Sequence, residues 1–256
     1  REASLPDSLQ LIFNTFARAF FAPADELSAA ELMKSFHFFY LSHNHGLLYD
    51  YFDTDYQEAL IQPAIRHLIQ HNVSIKLDRD VEETRHDNDM FTVGSEPFDY
   101  LILAADVVGT KSICANSPWI RTSSEKTYSE LMSLKASGGY AVYRIWLDKR
   151  TAAELPLFII TEKHEVLDSV TFYHQFDRSA AEWAQGSGGG VYELHCYVLP
   201  SDALSEEAVK AAFLAELHFY FPELRDARII YDHLQIRHDF TAFYTNLNKG
   251  RPEFAT

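Results

Sequence analysis

The sequence predicts a mixed fold, part α+β and part α/β, in which a block of helix and short-stranded meander is set within a larger region of antiparallel sheet and helices. Three observations predict it. Apolar residues recur at helical spacing in 7–22, 28–40, 53–72 and 205–221. Turn-forming clusters follow in quick order between 78 and 97, which suits short antiparallel strands. From 141 onward, alternating segments separated by turns predict a mostly antiparallel sheet of about five strands.

In 7–22, Leu9, Phe13, Phe16 and Phe20 share one face, flanked by Ile12 and Phe21, and Pro23 ends the helix. So Phe-rich a face is wider than a core stripe needs. It suits either a core or the lining of an apolar cavity or membrane-docking surface. Ser28-x-x-Glu31 reads as a capping box for a second helix carrying Leu32, Met33, Phe36, Phe39 and Tyr40.

After the polar turn 42–46, the helix at 53–72 points Leu60, Ala64, Ile65, Leu68 and Ile69 inward. Pro63 either kinks it or marks its true first turn, and Asn72 suits a left-handed end. Val73, Ile75 and Leu77 then alternate with Ser74 and Lys76 as a half-buried strand. The meander strands 81–84 and 90–93 deliver the chain to 98–103, an almost wholly apolar run that ends in Ala104, Ala105 and Asp106. Continuous apolarity between breakers predicts a central strand buried on both faces, with a ligand crevice at its carboxyl end.

Beyond Gly109 one helix is expected, at 126–134. Strands follow at 141–147, 156–161, 169–176, 191–199 and 228–238. Ser205 caps the last firm helix, with Leu204 and Val209 as a hydrophobic staple. Val209, Phe213, Leu217 and Phe221 make its buried stripe, and Pro222 stops it.

The 256 residues are 47% hydrophobic and 14% aromatic, enough for one large or two interleaved cores. A net charge of -15 with no basic stripe excludes a phosphate-backbone partner such as nucleic acid, and disfavours docking to anionic membranes by charge alone. Cys114 and Cys196 lie far apart, without metal-like spacing, and read as reduced thiols of the cytoplasm. No apolar run is long enough to span a membrane. The chain opens on Arg1 rather than Met, which reads as an internal piece of something longer.

Little in the sequence has the form of a catalytic signature. The glycine cluster 186–190 follows a helix and opens a strand, the reverse of a dinucleotide fingerprint, and reads as a flexible turn. His43 and His45 have no third partner at suggestive spacing, so no metal is expected. His174, His195 and His233 fall in predicted strands and read first as hydrogen-bonded structural histidines. Glu193 and His195 would share one face of their strand and could pair.

The order of blocks is more telling. FHFFYLSHNHGLLYDYF, VSIKLDRDVEET, FDYLILAADVVGT, YAVYRIWLD, VLDSVTFYHQFD, GGGVYELHCYVLP, FLAELHFYFPEL and LQIRHDFTAF follow one another over nearly the whole chain. Their succession resembles the middle of FAD-dependent amine-oxidase-like flavoproteins, the carotenoid desaturases above all, and among these the isorenieratene-synthase-like β-carotene desaturase/methyltransferases. The resemblance implies that 46–110 belongs with an FAD-binding domain, while 1–45 and 111–245 build a substrate domain, and that 246–256 leads toward a closing FAD motif. It implies backbone contact from Val81 to the adenine, and cofactor contact at Ala104, Ala105 and Asp106. An apolar carotene is the implied substrate, with Phe13, Phe16, Phe20, Phe36 and Phe172 as candidate cavity walls and a peripheral membrane contact allowed. The family's N-terminal glycine-rich fingerprint and its closing glycine-Asp motif do not occur in this sequence. The chain alone is therefore expected to be inactive and not to retain FAD. Two rivals stand beside this reading: a flavin amine oxidase or other non-carotenoid oxidoreductase, and a non-catalytic module for a hydrophobic ligand or partner.

Overall fold

The computed structural model describes residues 14, 16–46, 48–151, 155–162 and 165–252. Half of the helix expected at 7–22, and Phe13 with it, lies outside the described residues. Residues 16–18 are helical.

Helix α1 (Ala29–Phe36) runs into a π-helical turn, His37–Leu41. Ser28 stands at its N-cap without a side-chain bond, so the expected capping box does not form. Glu31 is buried instead beside Arg251, Oε1 to Nη1 3.4 Å. The long-range charge outcompetes the local cap.

A second π-helical turn, Gln57–Ile61, precedes α2 (Gln62–Gln70), which has Pro63 in its first turn. The proline lacks a backbone N–H, and the wide turn ahead of it accommodates the loss. Asn72 takes φ 61°, the left-handed end its position suggested. The chain at 73–83 pairs with no strand, and Val73, Ile75 and Leu77 are exposed. The meander forms as β1 (Thr84–Asp87), β2 (Met90–Val93) and β3 (Glu96–Phe98), a three-stranded antiparallel sheet. It is later by a few residues than 81–84 suggested.

The run 98–103 is not a central strand. β3 stops at Phe98, and Tyr100 and Ile102 are 87% and 86% exposed. Periodicity reported its apolar character correctly, but burial on two faces needs neighbours, and beyond Phe98 no described strand pairs with it.

Asp106 then opens α3 (Val107–Asn116), its Oδ1 accepting from the Gly109 N–H at 2.6 Å. α4 (Pro118–Ser123) and α5 (Glu125–Ser133) follow. The meander is fastened to them by Ser117, whose Oγ accepts from the Thr84 N–H at 2.8 Å, and by Trp119, whose Nε1 donates to Thr84 Oγ1 at 3.0 Å.

The second half matches expectation closely. β4 (Tyr140–Leu147), β5 (Phe158–Ile160), β6 (Ser169–Phe172), β7 (Gly190–Cys196) and β8 (Ile229–Arg237) form one antiparallel sheet in the order β5-β6-β7-β4-β8. Between β6 and β7 runs α6 (Arg178–Ser187), capped by Asp177 and closed by Gly188 at φ 74°. That conformation favours glycine, so the cluster 186–190 is a helix stop and strand start.

α7 (Glu206–Tyr220) lies across one sheet face. Val209, Phe213, Leu217 and Phe221 pack on Tyr143, Ile145, Val170, Phe172, Tyr192 and Leu194, all buried. Each large side chain so buried contributes about 1.5–3 kcal/mol. Glu216 of α7 is buried as well. Its carboxylate accepts from the N–H groups of Glu165 and Val166 at 2.8 Å and of Leu167 at 3.0 Å, fastening the loop before β6. At the sheet end, Asp168 receives Arg18 Nε at 2.7 Å and the Tyr197 N–H at 2.7 Å, which ties the segment near 18 to the sheet.

Candidate functional site

α7 covers one face of the large sheet; the other carries the chemistry. Alternation places Val142, Arg144 and Trp146 of β4 on the open face, opposite Tyr143, Ile145 and Leu147 on the core face. Antiparallel register sets Arg144 directly between Glu193 of β7 and His233 of β8. Val142 stands likewise between His195 and Gln235. The same register sets Trp146 against Tyr231, ring centroids 5.0 Å apart, and shifts only beyond it, at Leu147. Val142, Arg144, Trp146, Glu193, Tyr231, His233 and Gln235 line a concavity of about 400 Å³.

Glu193 is the electrostatic centre. Its Oε2 accepts from Arg144 Nε at 2.7 Å and Nη2 at 2.5 Å, and its Oε1 lies 3.1 Å from His195 Nε2. Burial works to raise the carboxyl's pKa, but hydrogen bonds and charge from His195 and Arg144 outweigh it and hold it below the usual carboxylate value. Arg144 also stacks over the Tyr173 ring at 4.0 Å. Burial, with the Glu193 charge next, pushes the Tyr173 hydroxyl up to about 12. The pair suggested by strand periodicity is thus present. Arg144 and Tyr173 were not singled out, although the same two-residue period that exposes Glu193 places Arg144 on this face.

The histidines part company. His174 sits in a 3-10 turn, not a strand, with Nδ1 3.0 Å from the Val191 carbonyl oxygen, and burial lowers its pKa. His233 Nε2 lies 3.1 Å from Gln235 Nε2 on the open face. Among the described residues no cluster of three or more His, Cys, Asp or Glu could hold a metal.

Three of the phenylalanines weighed as cavity walls come together. Phe16 meets Phe20 at 5.1 Å, Phe36 at 5.7 Å and Tyr40 at 5.0 Å, centroid to centroid. A seam of rings continues through Phe243, Phe240 and Phe21 to Tyr140 at the start of β4. Phe172 is elsewhere: it is fully buried against Tyr192 and Phe221, on the sheet face under α7. It is a core residue there.

The positions implied for a flavin dinucleotide fit in part. Val81 is exposed, and its main-chain groups have no hydrogen-bond partner among the described residues. Ala104 and Ala105 are exposed and small enough for close approach. Asp106 does not suit a phosphate. Its carboxylate already occupies the N-terminus of α3, where an anion would otherwise sit.

No family model matches the chain. A carotenoid phi-ring synthase from Streptomyces griseus is 32% identical over 237 residues, 91% of this chain and 44% of that protein. The chain is a homologue of the carotenoid phi-ring synthases. A second one, from Chlorobaculum tepidum, is 32% identical over 162 residues, 62% of this chain and 24% of its own length. The chain thus spans less than half the length of the curated relatives it matches, and the resemblance read from the succession of blocks is borne out at this level.

Solved structures show the fold. Cyclohexylamine oxidase from Brevibacterium oxydans superposes with a TM-score of 0.54 at 12% identity, over 92% of this chain and 51% of its own. An oxidoreductase from Methanosarcina mazei gives 0.50 at 15% identity, over 95% and 56%. A reduced UDP-galactopyranose mutase gives 0.51 at 13% identity, over 74% and 41%. The fold of this phi-ring synthase homologue is similar to part of each of these structures, mixed α and β with antiparallel sheets. Among the described residues no helix is long and apolar enough to cross a membrane.

Proposed function

We propose that the chain is the central part of an FAD-dependent oxidoreductase that desaturates carotenes and shifts a ring methyl to form an aromatic end group. The observation that carries this is the 32% identity to a carotenoid phi-ring synthase over 91% of the chain. FAD belongs to the intact protein, with Val81, Ala104 and Ala105 as its contacts in this chain, and the chain alone does not retain it. When bound, the flavin supplies a two-electron acceptor. The share of this chain is to orient a long apolar polyene and to exclude water. The domain division follows the same reading: 46–110 with the FAD domain, 1–45 and 111–245 with the substrate domain, and 246–256 leading on from it. The Phe16–Phe20–Phe36 cluster is a candidate wall of the substrate tunnel or of its membrane-facing entrance.

One observation favours a second reading. The open sheet face is lined by charged groups, Arg144, Glu193 and His195, which suits a polar substrate and hence a non-carotenoid oxidoreductase of the same fold. Expressing the full reading frame in carotene-producing cells, followed by pigment analysis, separates the two. Aromatic-ring carotenoids are the expected outcome. Unchanged pigments in cells holding the folded flavoprotein would reject the carotenoid reading. In the intact enzyme Phe16→Asp should abolish conversion, because a carboxylate in an apolar wall is strongly disfavoured; unchanged pigment yield would remove Phe16 from the tunnel.

A further inference from the structure

We propose that the tip formed by Phe38, Phe39, Leu41, Leu48 and Tyr49, where α1 ends and the chain turns back, docks into the surface of a zwitterionic phospholipid bilayer. Helix α1 and the π-helical turn after it carry aromatic rings on two sides. Phe36 and Tyr40, four residues apart, face inward and meet Phe16 at 5.7 and 5.0 Å. Phe38, Phe39 and Leu41 point the other way. The Phe38 and Phe39 rings meet edge to face at 5.2 Å, and Phe38 and Leu41 are 68% and 64% exposed.

The chain then reverses tightly. A Cβ on Gly46 would stand 2.7 Å from the Phe39 carbonyl oxygen, so glycine is what lets the returning chain lie this close. A hydrogen bond joins the hydroxyls of Tyr40 and Tyr49. The exposed Leu48 and Tyr49 thereby join Phe38, Phe39 and Leu41 at one end of the hairpin.

The charge pattern indicates what covers this tip. Asp, Glu, Lys and Arg make up 23% of the chain, yet none occurs from 35 to 49. A surface that meets water or another protein keeps charged groups at least at its rim. The exposed apolar residues of 60–102 do so, standing among Arg66, Lys76, Glu82 and Asp99. A bilayer rejects charge from its acyl region, takes up Phe and Leu there, and holds Tyr at headgroup level. The net charge of -15 repels anionic lipid, so uncharged insertion into zwitterionic lipid is the route left open. Because the inner side of the same hairpin packs on Phe16, docking sets the Phe16–Phe36 cluster next to the bilayer.

The test is independent of the substrate, since vesicle binding is read without turnover. The full-length protein is floated with phosphatidylcholine vesicles. It should rise with the lipid equally at low and high salt, and added phosphatidylserine should weaken the binding. Replacing both rings, Phe38→Ser with Phe39→Ser, should lower the partition coefficient about tenfold or more, given the value of burying one such side chain. Ile102→Ser, which alters an equally exposed residue outside the tip, should leave it unchanged. Leu41→Cys carrying an environment-sensitive dye should shift its emission to the blue when vesicles are added. Undiminished binding by the double variant, binding that disappears at high salt, or no spectral shift at position 41 would overturn the inference. A parent protein that does not float would overturn it as well, and would mean that the rest of the polypeptide or a second copy covers the tip.

Discussion

The sheet of β4–β8 with α7, and the block from 48 to 106, are both rich in apolar residues, yet they end in opposite conditions. In the first, alternation along each strand meets a helix of matching stripe, and Tyr143, Phe172, Tyr192, Phe213 and Leu217 are all sealed. In the second, Leu60, Ile69, Leu77, Tyr100 and Ile102 remain exposed although the sequence marks them as interior. The difference is one of partners. A half-buried strand carries its own address, because its polar face states where the core is not. A run that is apolar on both faces states only that two partners exist, without naming them.

The comparison can be broken most directly in the sealed half. Phe213→Ala should cost about 3–5 kcal/mol, read as a lower denaturation midpoint, whereas Leu77→Ala in the open block should stay within about 0.5 kcal/mol. Equal losses at the two positions would mean that the open block is covered in solution. Glu216→Ala comes next. It leaves the buried N–H groups of Val166 and Leu167, and the part-buried one of Glu165, without their acceptor, and should cost about 3 kcal/mol.

Glu193→Gln tests the open face. In the fold this carboxyl binds its proton at lower pH than in the unfolded chain, where its ordinary value is 4.5. Its stabilisation is therefore complete above that value and is lost as pH falls through the folded one. The substitution should cost about 1–3 kcal/mol at pH 7, discounted because Arg144 is about a third exposed. Near pH 3 the gap between variant and parent should narrow; a gap that widens on acidification would contradict the ion pairing. The smallest effect expected is at the cap of α7, where Ser205 Oγ accepts from the Ala208 N–H. Ser205→Ala should cost about 1 kcal/mol by the same midpoint measurement.

The sealed half was the legible half. The five strands, the Ser205 cap and the stripe of α7 all follow from local periods and stop signals, and the Glu193–His195 pair follows from the same arithmetic. What escaped depends on distance. Glu31 looked like a capping-box partner because Ser28 is three residues away, but Arg251 claims it from the far end of the chain. The N-cap role of Asp106, by contrast, is local and needs only Gly109 three residues on. Phe172 fell among the cavity candidates because aromatic character alone does not say which side of a sheet a ring occupies.

The bare run at 98–103 also has a colloidal consequence. The five residues of this run beyond Phe98, mostly apolar and in no described strand, offer a template on which a second molecule adds a strand. What opposes this is mutual repulsion from the net charge of -15, backed by Asp99 within the run itself. That opposition is long-ranged and screened within about 8 Å at physiological salt, whereas strand addition acts at contact. Ionic strength thus governs whether such chains stay apart, and low salt is the condition that favours the single molecule.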